Sequence, residues 1–202
     1  MAYIGQAPAN KPVEGSDISS TVITGQTALA TAPEDTDEFL ISDAGTLKRI
    51  DASLVVGGGK INQVVQTVKT DIFTSTTASL TDVTGFSVSI TPTATSSKVL
   101  VMAQYNLGVS SGYKMYSSLL RGSTEIYKGD AAGSRVRVSF GSKANANDDV
   151  RAVSHIFLDS PNTTSATTYK IQVNHQNGTY RLNSRDGQWD GASTIMIMEV
   201  AA

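Results

Sequence analysis

The 202-residue sequence predicts an all-β protein, in which an extended N-terminal arm with a small β-hairpin precedes an antiparallel β-sandwich or jelly roll. Composition is the first indication, because the chain contains 24 Ser, 23 Thr and 17 Gly, a balance typical of strands and turns. The second is a series of short segments of alternating polarity, separated by turns of Gly, Asn, Asp and Pro. The third is the lack of helix-period stretches between them, which disfavours a parallel α/β fold.

Charge and cysteine content exclude several classes of function. The net charge is -2 and the Lys and Arg residues are scattered singly, so the sequence predicts no sequence-independent binding to nucleic acid. The absence of Cys excludes disulfides, thiolate metal sites and a Cys nucleophile. No segment approaches the ~18 apolar residues of a membrane span, and the N-terminus shows no evident export signal, so we expect a soluble chain.

Residues 1–30 are predicted to form the extended arm. Pro8, Pro12 and Gly15 interrupt a run of small polar residues, and only "TVITG" resembles a strand. Such a segment cannot bury enough apolar area to fold alone, so we expect it to be disordered or ordered against another surface.

The stretch "TAPEDTDEFLISDAGTLKRID", residues 31–51, predicts a β-hairpin. Two apolar runs, 38–42 and 46–50, are joined by a three-residue loop ending in Gly45, which adopts the left-handed conformation without steric cost. An isolated hairpin is marginal in water, so this one needs a partner sheet from a neighbouring subunit or a larger assembly.

A cluster of carboxylates lies at the entrance to this hairpin. Its members are Glu34, Asp35, Asp37 and Glu38. Four carboxylates this close repel one another unless an ion or a cation joins them, and Lys48 and Arg49 lie within reach across the hairpin. We interpret the cluster as a solvated lead-in rather than a metal site.

The segment "VVGGGK" at 55–60 predicts a hinge at 57–59 and a boundary between residues 1–60 and residues 61–202. It is not interpreted as a phosphate-binding loop, because Lys60 is followed by a β-like run instead of Ser or Thr and a helix.

From Ile61 onward the sequence predicts strand after strand at short intervals. The predicted strands are 61–69, 84–91, 98–109, 113–121, 124–128, 135–142, 150–159, 167–175, 178–182 and 193–200. Alternation is clear where Phe86, Val88 and Ile90 share one face. We also expect Val136, Val138 and Phe140 to share one face of their strand, alternating with Arg135, Arg137 and Ser139.

The last strand, "STIMIMEV", is apolar on both faces. It therefore lies centrally between two layers, or its outer face meets another subunit. The candidate residues for an oligomer interface are Ile195, Met196, Ile197 and Met198.

Candidates for catalysis are weak. His155 and His175 lie inside predicted strands and away from any Gly-x-Ser-x-Gly turn, so we interpret them as locally hydrogen-bonded imidazoles rather than general bases. Loop carboxylates could converge as in glycoside hydrolases; they are Asp148, Asp149, Asp159, Asp186 and Asp190. We expect no enzyme activity, no cofactor and no metal site, calcium being the ion best suited to such oxygen ligands.

The segment "YRLNSRDGQWDG", 180–191, is the strongest candidate for a binding surface, because it places the only Trp in a turn-rich loop among planar polar groups. Trp189 could equally tuck down as a loop anchor. The candidate ligand-binding residues are Tyr180, Arg181, Asn183, Arg185, Asp186, Gln188, Trp189 and Asp190.

Several stretches resemble structural proteins of tailed bacteriophages. "MAYIGQAPANKP" and "TVITGQTALATAPEDTDEFLISDAGTLKRID" are similar to an N-terminal segment of such proteins, especially in marine phages, and "TDVTGFSVSITPTATSSKVLV", "LLRGSTEIYKGDAAGSR", "FLDSPNTTSATTYKIQV" and "STIMIMEV" resemble tail-fibre or knob domains. The resemblance implies a virion component whose N-terminal part attaches to the particle and whose β-domain projects as a trimer of jelly-roll-like, TNF/C1q-like knobs. No heptad or repetitive shaft separates arm and knob, which favours a short fibre or appendage.

We therefore expect a non-enzymatic short tail fibre or tail appendage that recognises the host surface, on the virion and assembled in the host cytoplasm. Expected partners are two further copies, other virion proteins and a host polysaccharide or protein, without nucleic acid or membrane insertion. The candidate virion-docking residues are Phe39, Leu40, Ile41, Leu47, Lys48 and Arg49. Alternatives are a capsid decoration or cement protein and a small depolymerase.

Overall fold

A computed structural model describes residues 31, 33–34, 36–44, 46–55, 60–110, 112–145, 149–175, 177–185 and 188–201, without the side chains of Leu47 and His175. The predicted arm 1–30, hinge 57–59, Asp35 and Gly45 lie outside these residues. The chain divides into two compact units, Met1–Gly57 and Gly58–Ala202. Within the described residues, no helix is long and apolar enough to cross a membrane.

The first unit contains the predicted hairpin. Strand β1 (Glu38–Asp43) pairs with β2 (Thr46–Asp51) in an antiparallel ladder that places Phe39 opposite Ile50 and Leu40 opposite Arg49. A one-turn helix, α1 (Ala52–Val55), follows. Every residue of β1 is exposed, so this strand contributes no buried side chain to a core among the described residues of the first unit.

The second unit is an antiparallel β-sandwich of jelly-roll-like type, which confirms the predicted fold class. Its strands are β3 (Ile61–Lys69), β4 (Phe73–Ser75), β5 (Thr81–Ile90), β6 (Lys98–Val109), β7 (Lys114–Arg121), β8 (Thr124–Tyr127), β9 (Phe140–Lys143), β10 (Asp149–Asp159), β11 (Thr167–His175), β12 (Tyr180–Leu182) and β13 (Ser193–Val200).

Two sheets form the sandwich. Sheet I runs in the order β3-β13-β6-β12-β4, with β10 paired to β6. Sheet II runs in the order β5-β11-β7-β8, with β9 also paired to β7. Because β12 and β13 pair with successive parts of β6, sheet I is four strands wide, with β3 and β10 at its margins.

The core lies between the inner faces of the two sheets. The predicted face of Phe86, Val88 and Ile90 is buried there, and Ile195 and Ile197 of β13 reach it from sheet I. Period-2 alternation accounts for this arrangement, since each strand contributes every second side chain to the core.

The strand predicted over 135–142 is wrong for its first half, because the ladder begins only at Phe140. Val136 is exposed, so the alternating valines do not share a buried face. Ser139 interrupts the ladder: its N–H donates to the carbonyl of Ser117 (3.0 Å), and its hydroxyl accepts from the N–H of Leu119 (2.8 Å). The short strand β4 had no clear signal in the sequence.

Candidate functional site

The entrance of the hairpin is organised by turns and ion pairs. Asp37 accepts a hydrogen bond from the N–H of Glu34 (3.0 Å) through its carboxylate and donates its own N–H to the carbonyl of Glu34 (2.9 Å). Arg49 pairs with Glu38 at 2.9 Å, as expected across the hairpin. Among the described residues, no group of three or more acidic, His or Cys side chains could hold a metal ion.

The apolar residues of the hairpin are exposed. Leu40 is 70% exposed, and Phe39 and Ile41 on the opposite face are each 36% exposed. Lys48 pairs with Asp43. Exposed apolar side chains flanked by ion pairs are thus present within the described part of the first unit.

The predicted loop site is divided between core and surface. Tyr180 and Asn183 are fully buried, so their assignment as surface binding residues was wrong. Arg181 is half-buried on the outer face of β12, between Thr74 and Gly108. The exposed members are Arg185, Gln188, Trp189 and Asp190, and Asp186 lies outside the described residues.

Asn183 holds the base of this loop. It has a φ of 64°, and its amide donates to the carbonyls of Lys69 (2.8 Å) and Asp71 (3.2 Å). Its own carbonyl accepts from the N–H of Gly191 (2.7 Å), and Ser193 donates to its side-chain oxygen. Asn tolerates the left-handed conformation better than most residues, so Asn183 acts as a structural anchor that closes the loop.

Trp189 is 40% exposed and leans over Gly191 towards sheet I. A Cβ built on Gly191 would lie 3.3 Å from both the Trp189 ring and the Asn106 amide nitrogen, so the two groups border the same space. Beside it is a depression of about 230 Å³ whose lining includes Gln104, Asn106 and Thr194. An aromatic ring beside amides and hydroxyls suits a neutral polar ligand such as a sugar.

The interior holds a hydrogen-bonded chain across the two sheets. Nε2 of His155 lies 2.8 Å from the hydroxyl of Tyr105, which also contacts the hydroxyl of Ser117. All three residues are buried, and burial lowers the pKa of His155 to about 4 and raises that of Tyr105. The prediction of a locally hydrogen-bonded interior imidazole is confirmed for His155.

Two buried carboxylates are occupied by structural partners. Asp159 accepts from Arg121 at 2.8 and 2.9 Å and from the hydroxyl of Tyr169 at 2.7 Å, which ties sheet I to sheet II. Glu199 accepts from the N–H and hydroxyl of Thr93 at 2.7 and 2.6 Å and from the amide of Gln63. Burial raises the pKa of Glu199, but the hydrogen bonds to its carboxylate outweigh this effect, and the net result is a pKa lowered to about 2. Glu199 is therefore not available as a general acid at neutral pH.

The predicted oligomer interface is also divided. Ile195 and Ile197 are fully buried in the core, so they cannot contact another subunit and their assignment was wrong. Met196 and Met198 are half-buried on the outer face of sheet I. Only these two of the four candidates reach the molecular surface.

No protein-family model matches the sequence. No curated protein matches it. Among solved structures, those of infectious bursal disease virus Gt strain and Gx strain are each similar over 79% of this chain, at 11% identity and TM-scores of 0.40 and 0.41. The crystal structure of the VP2 subviral particle of that virus is similar over the same share, at 12% identity and a TM-score of 0.37. The chain spans about 40% of the length of these proteins.

Proposed function

We propose that this chain is a structural protein of a tailed-bacteriophage virion, a short tail fibre or tail appendage. In this proposal the hairpin unit docks to another virion protein, and three β-sandwich units form a knob that contacts the host surface. The protein is located on the outside of the particle and assembles in the host cytoplasm.

The observation that carries the proposal is the contrast between the two units. Among the described residues, the hairpin exposes Phe39, Leu40 and Ile41, whereas the β-sandwich encloses an apolar core. A two-stranded sheet with exposed apolar residues gains stability by adding to a larger surface, which is the behaviour expected of an attachment segment. The resemblance of residues 1–12 and 21–51 to phage structural proteins supports the virion as the surface to be covered.

A non-enzymatic role agrees with the interior chemistry. In the described residues, His155, Asp159 and Glu199 are buried and hydrogen-bonded to structural partners. An active site needs such groups within reach of a substrate. The proposed function therefore rests on attachment and recognition.

Docking is tested by comparing two exposed leucines of the first unit in the phage that encodes the chain. Leu40 lies in the hairpin and Leu54 in α1, and they are 70% and 71% exposed. Leu40→Asp should remove the protein from purified particles, because a charge would face the apolar docking surface, whereas Leu54→Asp should be incorporated normally. Incorporation is read on a stained gel of purified virions.

The same gel separates a tail from a capsid location. A tail appendage predicts few copies per particle, and a capsid decoration or cement protein predicts many. Absence of the wild-type chain from the particles, or normal incorporation of Leu40→Asp, would contradict the proposal.

Host recognition is assigned to the exposed part of the loop around Trp189. Stacking on an indole ring and a hydrogen bond to Asn106 suit a surface polysaccharide, and three knobs would multiply a modest affinity. Trp189→Ala should reduce retention of the purified full chain on host cells by more than tenfold, and the control Val136→Ala, at another exposed apolar residue, should not. Unchanged retention of Trp189→Ala, with an unchanged unfolding temperature, would remove this loop from the proposal.

A further inference from the structure

The outer faces of the two sheets differ in chemistry. On sheet II, the outward side chains of β5 and β11 are polar: Asp82 accepts from Lys170 and Gln172 at 2.8 Å, and Ser89 contacts Thr168 at 2.7 Å. This face is suited to water. The outer face of sheet I instead carries apolar side chains, although both sheets cover the same core.

The strand register places these apolar residues in two complete rows. The first row is Val64, Met198, Leu100 and Leu158, running across β3, β13, β6 and β10. The second row, on the same strands, is Gln66, Met196, Met102 and Ile156. Seven of these eight outward side chains are therefore apolar, and none is charged. We call these two rows the apolar face.

The apolar face is most exposed at its margins. On β3, Val64 is 56% exposed, and on β10, Ile156 and Leu158 are 63% and 51% exposed. The methionines and Leu100 between them are half-buried. A depression of about 210 Å³ opens between Met196 and Ile156. The surface is thus contiguous from one margin of the sheet to the other.

The rows on either side are more polar and form a rim. One neighbouring row is Val68, Thr194, Gln104 and Ser154. The opposite row contains Ile61, Val200 and Lys98, and Lys98 donates to Ser160 at 2.8 Å. Interfaces between proteins have this arrangement of an apolar centre and a polar rim. The lack of charge gives no attraction to nucleic acid or an anionic surface, so the occupant must be apolar as well.

The area fits contact with further copies of the chain. Four strands about 4.8 Å apart and four rows about 6.8 Å apart, including the rim, cover roughly 19 Å by 27 Å, or about 510 Å² in plane. A standard interface buries about 800 Å² per partner, and protruding side chains exceed their planar area. The two apolar rows make up about half of that plane, so the rim rows are needed in the contact as well.

We propose that the outer face of sheet I is the surface on which three copies of this chain meet, with the β3 margin of one copy against the β10 margin of the next. This inference rests on the proposed trimer and names its interface. Both margins are apolar, so each can serve as the partner of the other in a closed ring. Rotation about an axis parallel to the strands keeps every row at its own height, which brings Val64 to Leu158 of the neighbouring copy.

Charge substitutions test this surface. The full chain should have a mass near three times 21.2 kDa by light scattering. Val64→Glu and Ile156→Glu should reduce it to one chain with an unchanged near-ultraviolet circular dichroism spectrum, because both side chains are more than half exposed. The matched control, Ser87→Glu on the outer face of sheet II, should remain a trimer. A wild-type chain that stays monomeric up to 100 μM would overturn the proposal.

Cysteine pairs test the arrangement in a chain that has no Cys of its own. Oxidation of the double variant Val64→Cys, Leu158→Cys should link two and three chains covalently, and neither single variant should form dimers. Dimers from a single variant would show that the face packs on itself about a two-fold axis, which contradicts the ring. If the trimer forms but purified virions lack the protein, the proposed function fails and the interface stands. If the protein is present in virions but is monomeric, the interface fails and the virion location stands.

Discussion

The imidazole of His155 lies between the two sheets, hydrogen-bonded to Tyr105 and in edge contact with Tyr127, whose ring centroid is 5.7 Å away. Burial lowers the pKa of His155 to about 4, against about 6.5 in an unfolded chain. Between these values the unfolded chain binds more protons than the folded one. The free energy of unfolding must therefore fall as the pH decreases from about 6.5 to 4.

This linkage predicts an acid-labile sandwich. The loss of stability attributable to His155 should reach about 3 kcal/mol near pH 4. His155→Gln, which retains a polar partner for Tyr105, should flatten the dependence in urea unfolding between pH 6.5 and 4.5. Glu199→Gln is the control, because the pKa of Glu199 is lowered to about 2 and its contribution is lost only below about pH 4.5. An unchanged slope in His155→Gln would contradict the assignment.

Gly178 is required both for its backbone and for the space beside it. It has a φ of 99°, and a Cβ at this position would lie 2.7 Å from the ring of Tyr113. Gly122 also has a positive φ, of 58°, but no atom lies within 4 Å of its Cβ position. Gly122→Ala should cost about 1 kcal/mol of unfolding free energy, and Gly178→Ala should cost about 2–3 kcal/mol because the clash is added. Equal midpoints of thermal unfolding for the two variants would contradict the clash.

At the scale of the element, β13 shows how strictly alternation separates core from surface. Ile197 is fully buried and Met198, its neighbour, is half-buried on the outer face. Ile197→Asp should abolish cooperative unfolding, since it buries an unpaired charge, with a cost of about 4 kcal/mol or more. Met198→Asp should preserve the fold and weaken self-association. A folded Ile197→Asp protein, judged by circular dichroism, would contradict the placement of this strand.

Strand positions could be predicted from sequence where local periodicity was sufficient. The bounds of β3, β6, β11 and β13 agree with the predicted strands because each presents a continuous apolar or alternating pattern. The segment before β9 failed because its alternating valines have no buried face to occupy. Pattern alone cannot show whether a partner strand is present to complete the ladder.

The sequence could not predict which side chains are buried by contacts with residues far away in the chain. Asn183 is a polar loop residue in the sequence, yet it is anchored by Lys69, which lies 114 residues earlier in the chain. The apolar face likewise depends on register: "STIMIMEV" indicates a two-faced strand, but only the pairing of β3, β13, β6 and β10 shows that their outward side chains align in two rows. The exposed position of Trp189 could be proposed from its loop, but its proximity to Asn106 could not.

At the scale of the whole molecule, Arg121 and Asp159 connect the two sheets near one end of the sandwich. Arg121→Met would leave the buried carboxylate of Asp159 with only Tyr169 as a described side-chain partner. We expect a loss of about 2 kcal/mol, less than for a fully buried pair because the Arg121 side chain is 30% exposed. The double variant Arg121→Met, Asp159→Leu should recover part of that loss. Urea unfolding of both variants at pH 7 measures the difference.

The two units suit the proposed function, in which the first unit attaches to the virion and the second is presented to the host surface. The described part of the first unit exposes apolar residues on a two-stranded hairpin. The second unit has an apolar face and an exposed loop on a well-packed sandwich. In the proposed function, attachment, self-association and recognition fall on different residues: Leu40, Ile156 and Trp189. Each can be changed without disturbing the core of the sandwich.

The most direct test is electron microscopy of purified phage particles labelled with an antibody against the β-sandwich unit. A tail appendage predicts label confined to the tail, in small numbers, and lost from particles carrying Leu40→Asp. Particles that contain the wild-type chain nowhere would contradict the proposed function.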